Sequence, residues 1–311
     1  MINFDSRICL GFSPTMLFPK SFEDPLMHFA AIQICCHYPN YEAFETYLPD
    51  DKKLRERCIR EMKAAEKRMH YNSPGILQTE GQYNPCSNDK HIRQRALEYA
   101  KMHINFAAES ESPFFIVTGA PDKGDAYRTE LLKYYKEFFL QLSEYCKQYR
   151  MDILIEPIER HRFKKLILGP TKECALFIME MQRCGADNAH MMLDIAHLPL
   201  MEEDMEQAVK NSIPAGLEHI HMGDAVLDPT NAYYGHTHPP VGIQKGIFDI
   251  EDIEEQIRIL FKYEYISKNA KTKRANISLE VRPYPGCSEE TSIHLMYEKI
   301  KSAFDNVVKN L

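Results

Sequence analysis

Several features that would assign a protein to a class at once are missing from this sequence. No continuous apolar run approaches the ~20 residues that a membrane span needs, so a membrane protein is not predicted. The first residues contain no basic stretch followed by an apolar one, so no secretory signal is visible. Tryptophan is absent, and this absence excludes nothing.

Cysteine spacing and charge narrow the class further. The nine cysteines include no C-x-x-C pair, which argues against a disulfide framework or a zinc ribbon and predicts reduced thiols in a cytoplasmic protein. The net charge of −7 argues against a nucleic-acid-binding protein, because such proteins usually present a basic face. No G-x-G-x-x-G motif follows the first predicted strand, which disfavours a doubly wound dinucleotide-binding sheet.

Four short apolar segments each end in an acidic or imidazole side chain. They are 152–156, ending in Glu156; 191–194, ending in Asp194; 217–221, ending in His221; and 277–280, ending in Glu280. Continuous apolar runs of this length are typical of strands buried on both faces, as in a parallel sheet. An acid at the end of such a strand is costly unless it is paired or binds a metal ion. One such residue is most often a solvated loop residue, but four in succession indicate a site.

Strand-like and helix-like segments alternate along the whole chain. Further strands are predicted at 7–12, 41–48, 75–79 and 113–119, and helices at 21–36, 50–70, 89–108, 126–149, 171–184, 202–211, 248–263 and 291–308. Eight β–α units in 311 residues predict an α/β protein, a (β/α)8 TIM barrel that forms a single domain over residues 1–311. A doubly wound sheet is the alternative.

In a TIM barrel the active site lies at the C-terminal ends of the strands. Neighbouring parallel strands are ~5 Å apart, so Glu156, Asp194, His221 and Glu280 could share one ion. Three carboxylates and one imidazole favour Mn²⁺ or Mg²⁺, with Co²⁺ or Zn²⁺ as alternatives. Such an ion polarises a carbonyl, and a neighbouring carboxylate can remove a proton from the adjacent carbon. We therefore expect enolisation of a substrate that Glu156 and Glu280 face from two sides.

Five motifs resemble those of the xylose-isomerase-like TIM-barrel superfamily, which includes ketohexose epimerases, hydroxypyruvate isomerase, inosose dehydratase and endonuclease IV. They are Ile155-Glu156-Pro157, Leu193-Asp194-Ile195-Ala196-His197, His219-Ile220-His221-Met222-Gly223-Asp224, His238-Pro239-Pro240-Val241-Gly242 and Leu279-Glu280-Val281-Arg282. The resemblance implies metal ligands Glu156, Asp194, His221 and Glu280. It implies acid/base roles for Glu156 and Glu280, a contact of His197 with substrate oxygens, and a small carbohydrate substrate for a sugar isomerase or epimerase.

Differences from the superfamily pattern limit which substrate contacts and activities can be inferred from the resemblance. Ketohexose epimerases place an arginine six residues after the metal histidine and a glutamate six residues after the first ligand, where this chain has Leu227 and Arg162. The substrate contacts are therefore expected to differ. Endonuclease IV binds three zinc ions with extra histidines on strands three and four. The predicted equivalents here are Glu80 and Thr118, so abasic-site cleavage is not expected.

One subgroup offers an alternative activity. The large subunits of C-glycoside-cleaving enzymes resemble these barrels, use one Mn²⁺ or Mg²⁺ to enolise a 3-oxo-glucoside, and eliminate the aglycone with a small β-rich partner subunit. A carbon–carbon lyase in a hetero-oligomer is thus the alternative to an isomerase or epimerase, which could itself be a homo-oligomer. A non-catalytic binding barrel is a third class, disfavoured by the intact set of four ligands.

Several loop residues have no assigned role from the sequence. The basic segment 159–165 could bind a phosphate, a carboxylate or an acidic phenol of the substrate, or be a solvated face. His161 lies in this segment. His236 and His238 could be further metal ligands, substrate contacts or solvated side chains.

Overall fold

A closed parallel barrel forms the centre of the protein. The computed structural model describes residues 2–269 and 273–311. Eight strands pair in chain order, and β1 closes the barrel against β8, so the predicted (β/α)8 fold is confirmed. The strands are β1 (Ile8–Phe12), β2 (Ala43–Thr46), β3 (Arg68–Asn72), β4 (Phe114–Thr118), β5 (Asp152–Glu156), β6 (Ala189–Asp194), β7 (Leu217–Met222) and β8 (Ala275–Leu279).

Helices between the strands surround the barrel. They are α1 (Pro14–Leu17), α2 (Pro25–Cys35), α3 (Lys52–Ala64), α4 (Lys90–Glu109), α5 (Arg128–Lys147), α6 (Thr171–Arg183), α7 (Leu198–Met201), α8 (Met205–Ser212), α9 (Ile250–Lys262) and α10 (Glu289–Lys309). The helix predicted at 126–149 is observed as α5, and its apolar residues Leu131, Tyr135, Phe138, Phe139 and Leu142 are buried at helical spacing. In the part of the chain that the structure describes, no helix is both long and apolar enough to cross a membrane.

Barrel closure requires a small residue on β1. Ile8 lies opposite Ala275 and Phe12 opposite Leu279, so β1 and β8 are in register along their length. A Cβ atom on Gly11 would lie 2.8 Å from Ser278 Oγ and 3.1 Å from Ala43 Cβ. The close approach of β1 to β2 and β8 therefore depends on glycine having no side chain at position 11.

The interior of the barrel changes from apolar to polar toward the C-terminal ends of the strands. Residues two apart on a strand share a face, so Leu154 and Glu156 both point inward, as do Met192 and Asp194. An isolated apolar cluster is formed by Phe114, Ile116, Leu154 and Met192. A buried polar layer of Glu45, His70 and His219 is stacked on this cluster, with the ring of His70 4.7 Å from that of Phe114. Polar side chains are thereby concentrated at one end of the barrel.

The boundaries predicted around the third strand are wrong. Residues 68–72, predicted as helix, form β3, while 75–79, predicted as strand, contain a 3₁₀ turn at Gly75–Gln78. The preceding helix ends without a glycine, because Glu66 itself takes a positive φ of 56°. The side chain at the open end of strand three is consequently Asn72 and not Glu80, whose carboxylate accepts a hydrogen bond from Asn84.

The start of α2 also differs from the prediction. Ser21, the predicted first residue of this helix, lies in a 3₁₀ turn at Pro19–Phe22. Asp24 caps the helix by accepting a hydrogen bond from Leu26 N at 2.7 Å. Pro25 at the first helical position is pre-organised for the helix, which fixes the boundary there.

Candidate metal centre

Four consecutive strands place the predicted ligands side by side at the open end of the barrel. Glu156 and Asp194 end β5 and β6, His221 is the penultimate residue of β7, and Glu280 directly follows β8. The register pairs Asp194 with His221. One potential ligand atom from each of the four residues lies within 4.8 Å of the others. Their convergence is observed, and their binding of an ion is taken up as a proposal below.

His221 lies among the three carboxylates. Its Nδ1 is 2.8 Å from Glu280 Oε2, 3.6 Å from Asp194 Oδ2 and 3.9 Å from Glu156 Oε1. The side chains of Asp194 and His221 are fully buried, whereas that of Glu280 is 17% exposed. Solvent therefore reaches the cluster from the side of Glu280.

The cluster fits a cation. Among the described residues, Glu156 Oε1 and Asp194 Oδ2 are buried and have no hydrogen bond of favourable geometry. His221 Nδ1 faces the carboxylates of Glu280 and Asp194. Burial, and then the charge of Glu280, raises the pKa of Glu156 well above its ordinary value, and burial also raises the pKa of Asp194. An unpaired buried polar atom costs about 1–3 kcal/mol. A divalent ion would satisfy these lone pairs and relieve the repulsion between the carboxylates, so the donor set suits one.

Glu45 on β2 supports the cluster from below. Its Oε2 lies 2.6 Å from His219 Nε2, its Oε1 lies 2.5 Å from His221 Nε2, and Asn72 Nδ2 donates a hydrogen bond to Oε1 at 3.0 Å. Burial opposes ionisation, but His221 and then His219 hold the pKa of Glu45 well below its usual range. A carboxylate beside Nε2 favours the proton there, which leaves the Nδ1 lone pair for a metal ion.

Three further histidines converge beside the four predicted ligands. His197 follows β6, and His236 and His238 lie in the loop between β7 and α9. His238 Nε2 is 3.1 Å from His236 Nε2 and 3.4 Å from His197 Nε2. Burial lowers the pKa of all three, that of His197 to about 3. Their neutral rings can accept hydrogen bonds from substrate hydroxyls or donate lone pairs to a cation. His161, by contrast, is exposed and outside the cavity.

The loop that carries His236 and His238 is fixed by Asp224. Oδ1 of this buried carboxylate accepts hydrogen bonds from the backbone N–H groups of Ala225, Ile247 and Phe248 at 2.7–3.0 Å. Asp224 N donates to Pro239 O at 3.1 Å. Asp224, next to β7, therefore forms hydrogen bonds with both ends of the loop, at 225 and 247–248, and with its middle, at 239.

A polar cavity of about 250 Å³ opens over the cluster. Glu156, Glu280, His197 and His238 contribute to its wall, so the predicted acid/base residues and the predicted substrate contact all face it. Hydroxyl and amide groups of Ser13, Thr15, Asn72, Ser73 and Gln78 line the opposite side. The two positions that differ from ketohexose epimerases contribute nothing here, since Leu227 is on the surface and Arg162 pairs with Glu202.

The fold and the cluster together define a TIM-barrel protein with a candidate metal centre at the C-terminal ends of its strands. The chain belongs to the xylose isomerase-like TIM barrel family, whose sequence profile matches residues 29–266. This confirms the resemblance inferred from the five motifs. A comparison with curated protein sequences finds none that matches this chain.

Several solved structures of similar fold are named as sugar epimerases, and one, from Brucella melitensis, as an AP endonuclease of family 2. A D-tagatose 3-epimerase-like protein has a TM-score of 0.69 at 18% identity, over 96% of this chain and 99% of that chain. D-Psicose 3-epimerase from Clostridium cellulolyticum H10 has a TM-score of 0.66 at 13% identity, over 96% and 98%. The 3-keto-D-glucoside 4-epimerase from E. coli has a TM-score of 0.63 at 11% identity, over 97% and 100%. At these identities the similarity establishes the fold.

Proposed function

We propose that this chain is a divalent-metal-dependent sugar isomerase or epimerase that transfers a proton next to the carbonyl of a sugar or an oxo-sugar. The observation that carries the proposal is the convergence of Glu156, Asp194, His221 and Glu280, with two unpartnered buried carboxylate oxygens, at the floor of a polar cavity. A purely structural metal site is closed by protein ligands, whereas a catalytic one keeps an open side. Glu156 and Glu280 line the cavity, so the cluster is open on the side of the cavity.

The residues of the site divide the chemistry among them. Bound to the four ligands, Mn²⁺ or Mg²⁺, with Co²⁺ or Zn²⁺ as alternatives, would supply Lewis-acid polarisation of a carbonyl. Glu156 and Glu280 come from the two ends of the arc β5–β8 and face the cavity from both sides. One carboxylate removes the proton from the carbon next to the carbonyl and the other returns a proton to the opposite face or to the neighbouring carbon. His197, held neutral, orients a substrate hydroxyl.

The similar structures support the choice of substrate class. Their names describe 3-epimerases of ketohexoses and a 4-epimerase of a 3-keto-glucoside, reactions that begin next to a carbonyl. The cavity volume of about 250 Å³, below the roughly 300–1,000 Å³ of most ligand pockets, suits a monosaccharide. No observation on the described residues favours the alternative C-glycoside cleavage, which would require room for a phenolic aglycone.

Deuterium incorporation from heavy water tests the proposal. The Mn²⁺-loaded protein is incubated with ketoses, ketose phosphates and 3-oxo-glucosides, and the products are analysed by NMR. We expect deuterium on the carbon next to the carbonyl and an epimer or isomer as product, with activity lost on chelation and restored by Mn²⁺. Glu156→Gln and Glu280→Gln should each lower turnover at least about 10²–10⁴-fold.

Glu202→Gln is the matched control for these variants, since it changes an exposed glutamate that pairs with Arg162 outside the cavity. It should retain full exchange. Full activity in both Glu156→Gln and Glu280→Gln would show the mechanism to be wrong. An aglycone released from a 3-oxo-C-glycoside, without epimer formation, would identify the lyase instead.

A further inference from the structure

Two cationic side chains line the cavity above the candidate metal centre. Lys164 belongs to the loop between β5 and α6, and Arg282 lies two residues after Glu280. Within residues 2–269 and 273–311, neither has a carboxylate within ion-pair distance of 4.0 Å. The cavity therefore carries two positive charges at its rim that the described part of the protein does not neutralise.

The neighbouring basic residues are paired or point elsewhere. Arg160 binds Asp122 and Asp125. Arg162 binds Glu202. Lys165 is exposed and outside the cavity wall. Of the basic side chains in the segment 159–165, Lys164 is thus the one that brings its charge to the cavity.

Both cations are attached to the segment 236–238, which carries two of the cavity histidines. Arg282 N donates to His238 O at 2.8 Å, and Arg282 Nε donates to Thr237 O at 3.0 Å. Lys164 N donates to Glu159 Oε1 at 3.1 Å, and the same oxygen lies 3.1 Å from His236 Nδ1. The backbone around each cation is therefore fixed, and both residues line the cavity. Among the described residues, the Nζ group of Lys164 and the terminal nitrogens of Arg282 have no ion-pair partner.

A neutral sugar substrate would not require two unpaired cations in the cavity wall. The floor of the cavity is lined by Glu45, Glu156 and Glu280, and the chain has a net charge of −7, so an approaching anion would be repelled unless cations offset the field locally. A guanidinium binds a carboxylate or a phosphate through two parallel hydrogen bonds, and an ammonium adds a point charge. Lys164 and Arg282 supply this combination in the cavity wall.

We infer that the substrate carries an anionic group, a carboxylate or a phosphate, which Lys164 and Arg282 bind. The inference rests on the proposed function for the remainder of the substrate: an acidic keto-sugar, either a ketose phosphate or a keto-uronate, with its carbonyl end at the four predicted ligands. The charged end at the rim sets the position of the reacting carbons relative to Glu156 and Glu280. It takes the place of the arginine and glutamate contacts that ketohexose epimerases have and this chain lacks.

The test compares three substrates that share a carbon skeleton: D-fructose, D-fructose 6-phosphate and D-fructuronate. Deuterium exchange is measured with the Mn²⁺-loaded protein as a function of substrate concentration. We expect kcat/KM to be at least about tenfold higher for one of the two anions than for D-fructose, and the favoured anion distinguishes phosphate from carboxylate. Arg282→Gln and Lys164→Gln should each raise the KM of that anion about 10- to 100-fold, with a smaller effect on kcat.

Lys165→Gln is the matched control, because it removes an adjacent lysine that does not face the cavity, and it should leave the preference unchanged. Lys164 is exposed, so its substitution does not threaten folding, and far-UV circular dichroism checks Arg282→Gln. Equal kcat/KM for D-fructose and both anions, insensitive to Arg282→Gln, would overturn the anion site while leaving enolisation established.

A binding experiment without turnover distinguishes failure of the anion site from failure of the proposed isomerase activity. If none of the three sugars exchanges deuterium, inorganic phosphate is titrated calorimetrically into the Mg²⁺-loaded protein. Saturable binding that Arg282→Gln and Lys164→Gln weaken at least tenfold, and Lys165→Gln does not, would support the anion site without the isomerase activity. Absence of such binding would overturn it.

Discussion

Glu45 Oε1 lies 2.5 Å from Nε2 of His221, and Nδ1 of the same ring faces the carboxylates of Asp194 and Glu280 at 3.6 and 2.8 Å. The imidazole is held between a carboxylate of β2 and the candidate metal ligands of β6 and β8. Since both ring nitrogens have a neighbour, the ring orientation is set before a cation binds. Partners of this kind orient metal-binding histidines and increase their basicity.

Replacement of Glu45 by glutamine should weaken metal binding without removing a ligand. We expect the dissociation constant for Mn²⁺ to rise about 10- to 100-fold, because the amide no longer favours the proton on Nε2 of His221. Titration followed by electron paramagnetic resonance of free Mn²⁺ measures the change. Glu42→Gln is the control, since Glu42 precedes β2 and pairs with Arg274. An unchanged dissociation constant in Glu45→Gln would show that His221 needs no such partner.

Removal of the metal should leave a strained cluster, and one substitution should relieve it. In the metal-free protein, Glu156→Gln replaces one of three crowded carboxylates by a neutral group of the same shape. We expect its free energy of unfolding to be equal to that of the parent or higher by about 1 kcal/mol, as is common when a destabilised functional site is neutralised. With Mn²⁺ at 100 times the dissociation constant, the parent should gain about 2.7 kcal/mol and the variant much less.

Urea unfolding with chelator and with Mn²⁺ measures both values. Asp187→Asn is the control, because this exposed aspartate pairs with Lys147 far from the cavity, and its response to Mn²⁺ should equal that of the parent. A metal-free Glu156→Gln protein that is clearly less stable than the metal-free parent would contradict the repulsion argument.

Acid should destabilise the protein through a buried histidine outside the candidate site. His28 lies 2.9 Å from Thr46 Oγ1, and burial lowers its pKa from 6.5 to about 4. Between these two values the unfolded chain binds a proton that the folded chain does not, so stability decreases as the pH falls from 6.5 to 4 and is constant below. The contribution is on the order of 3 kcal/mol.

Comparison of the parent with His28→Gln isolates this effect, because glutamine can still hydrogen-bond Thr46 and does not titrate. The free energy of unfolding is measured in urea from pH 7.5 to 4. We expect a shallower loss of stability in the variant across this range. Parallel pH profiles of the two proteins would show that His28 is protonated equally in the folded and unfolded states.

Loss of the Asp224 carboxylate should loosen one loop and not the barrel. Asp224→Ala leaves the N–H groups of Ala225, Ile247 and Phe248 without their acceptor, at a cost of about 1–3 kcal/mol for a buried donor. We expect faster amide hydrogen exchange across residues 225–248, unchanged protection of the strands, and a raised KM, since this loop carries His236 and His238. Asp228→Ala, which removes an aspartate that pairs with Lys245 within the same loop, is the control. Equal exchange in the two variants would argue against the anchoring role of Asp224.

The second half of the barrel could be predicted from the sequence for a physical reason. Strands buried on both faces are short apolar runs, and an acid or histidine at their end is conspicuous, so β5 to β8 and the residues Glu156, Asp194, His221 and Glu280 were placed correctly. Whether the four side chains point to the same side depends on the register between the strands, and the structure brings them together.

The strands and site residues in the first half of the barrel are harder to predict from the sequence. Strand β3 reads Arg68-Met69-His70-Tyr71-Asn72 and follows a helix that ends at a positive-φ Glu66, so neither composition nor a glycine marks the change. The sequence therefore predicts helix at His70, which lies on β3. The role of Glu45 depends on contact with His219 and His221, more than 170 residues away, which no local pattern contains. Likewise, the sequence does not show that Arg160 and Arg162 form ion pairs whereas Lys164 lines the cavity, because these contacts form only in the folded loops.

The four candidate ligands all belong to β5–β8, while the far wall of the cavity is built by Ser13, Thr15, Asn72, Ser73 and Gln78 from the first three β–α units. The candidate ligands and the far wall of the cavity are thus encoded in separate halves of the gene, although Glu45 of the first half contacts His221, and Lys164 and Arg282 of the second half line the same cavity. Mutations among the five far-wall residues can change the shape of the cavity while the candidate ligands stay intact. A chimera that takes its first half from another barrel of this family should keep its preference for an anionic substrate, and should keep its affinity for Mn²⁺ if the donor has a glutamate at the position of Glu45.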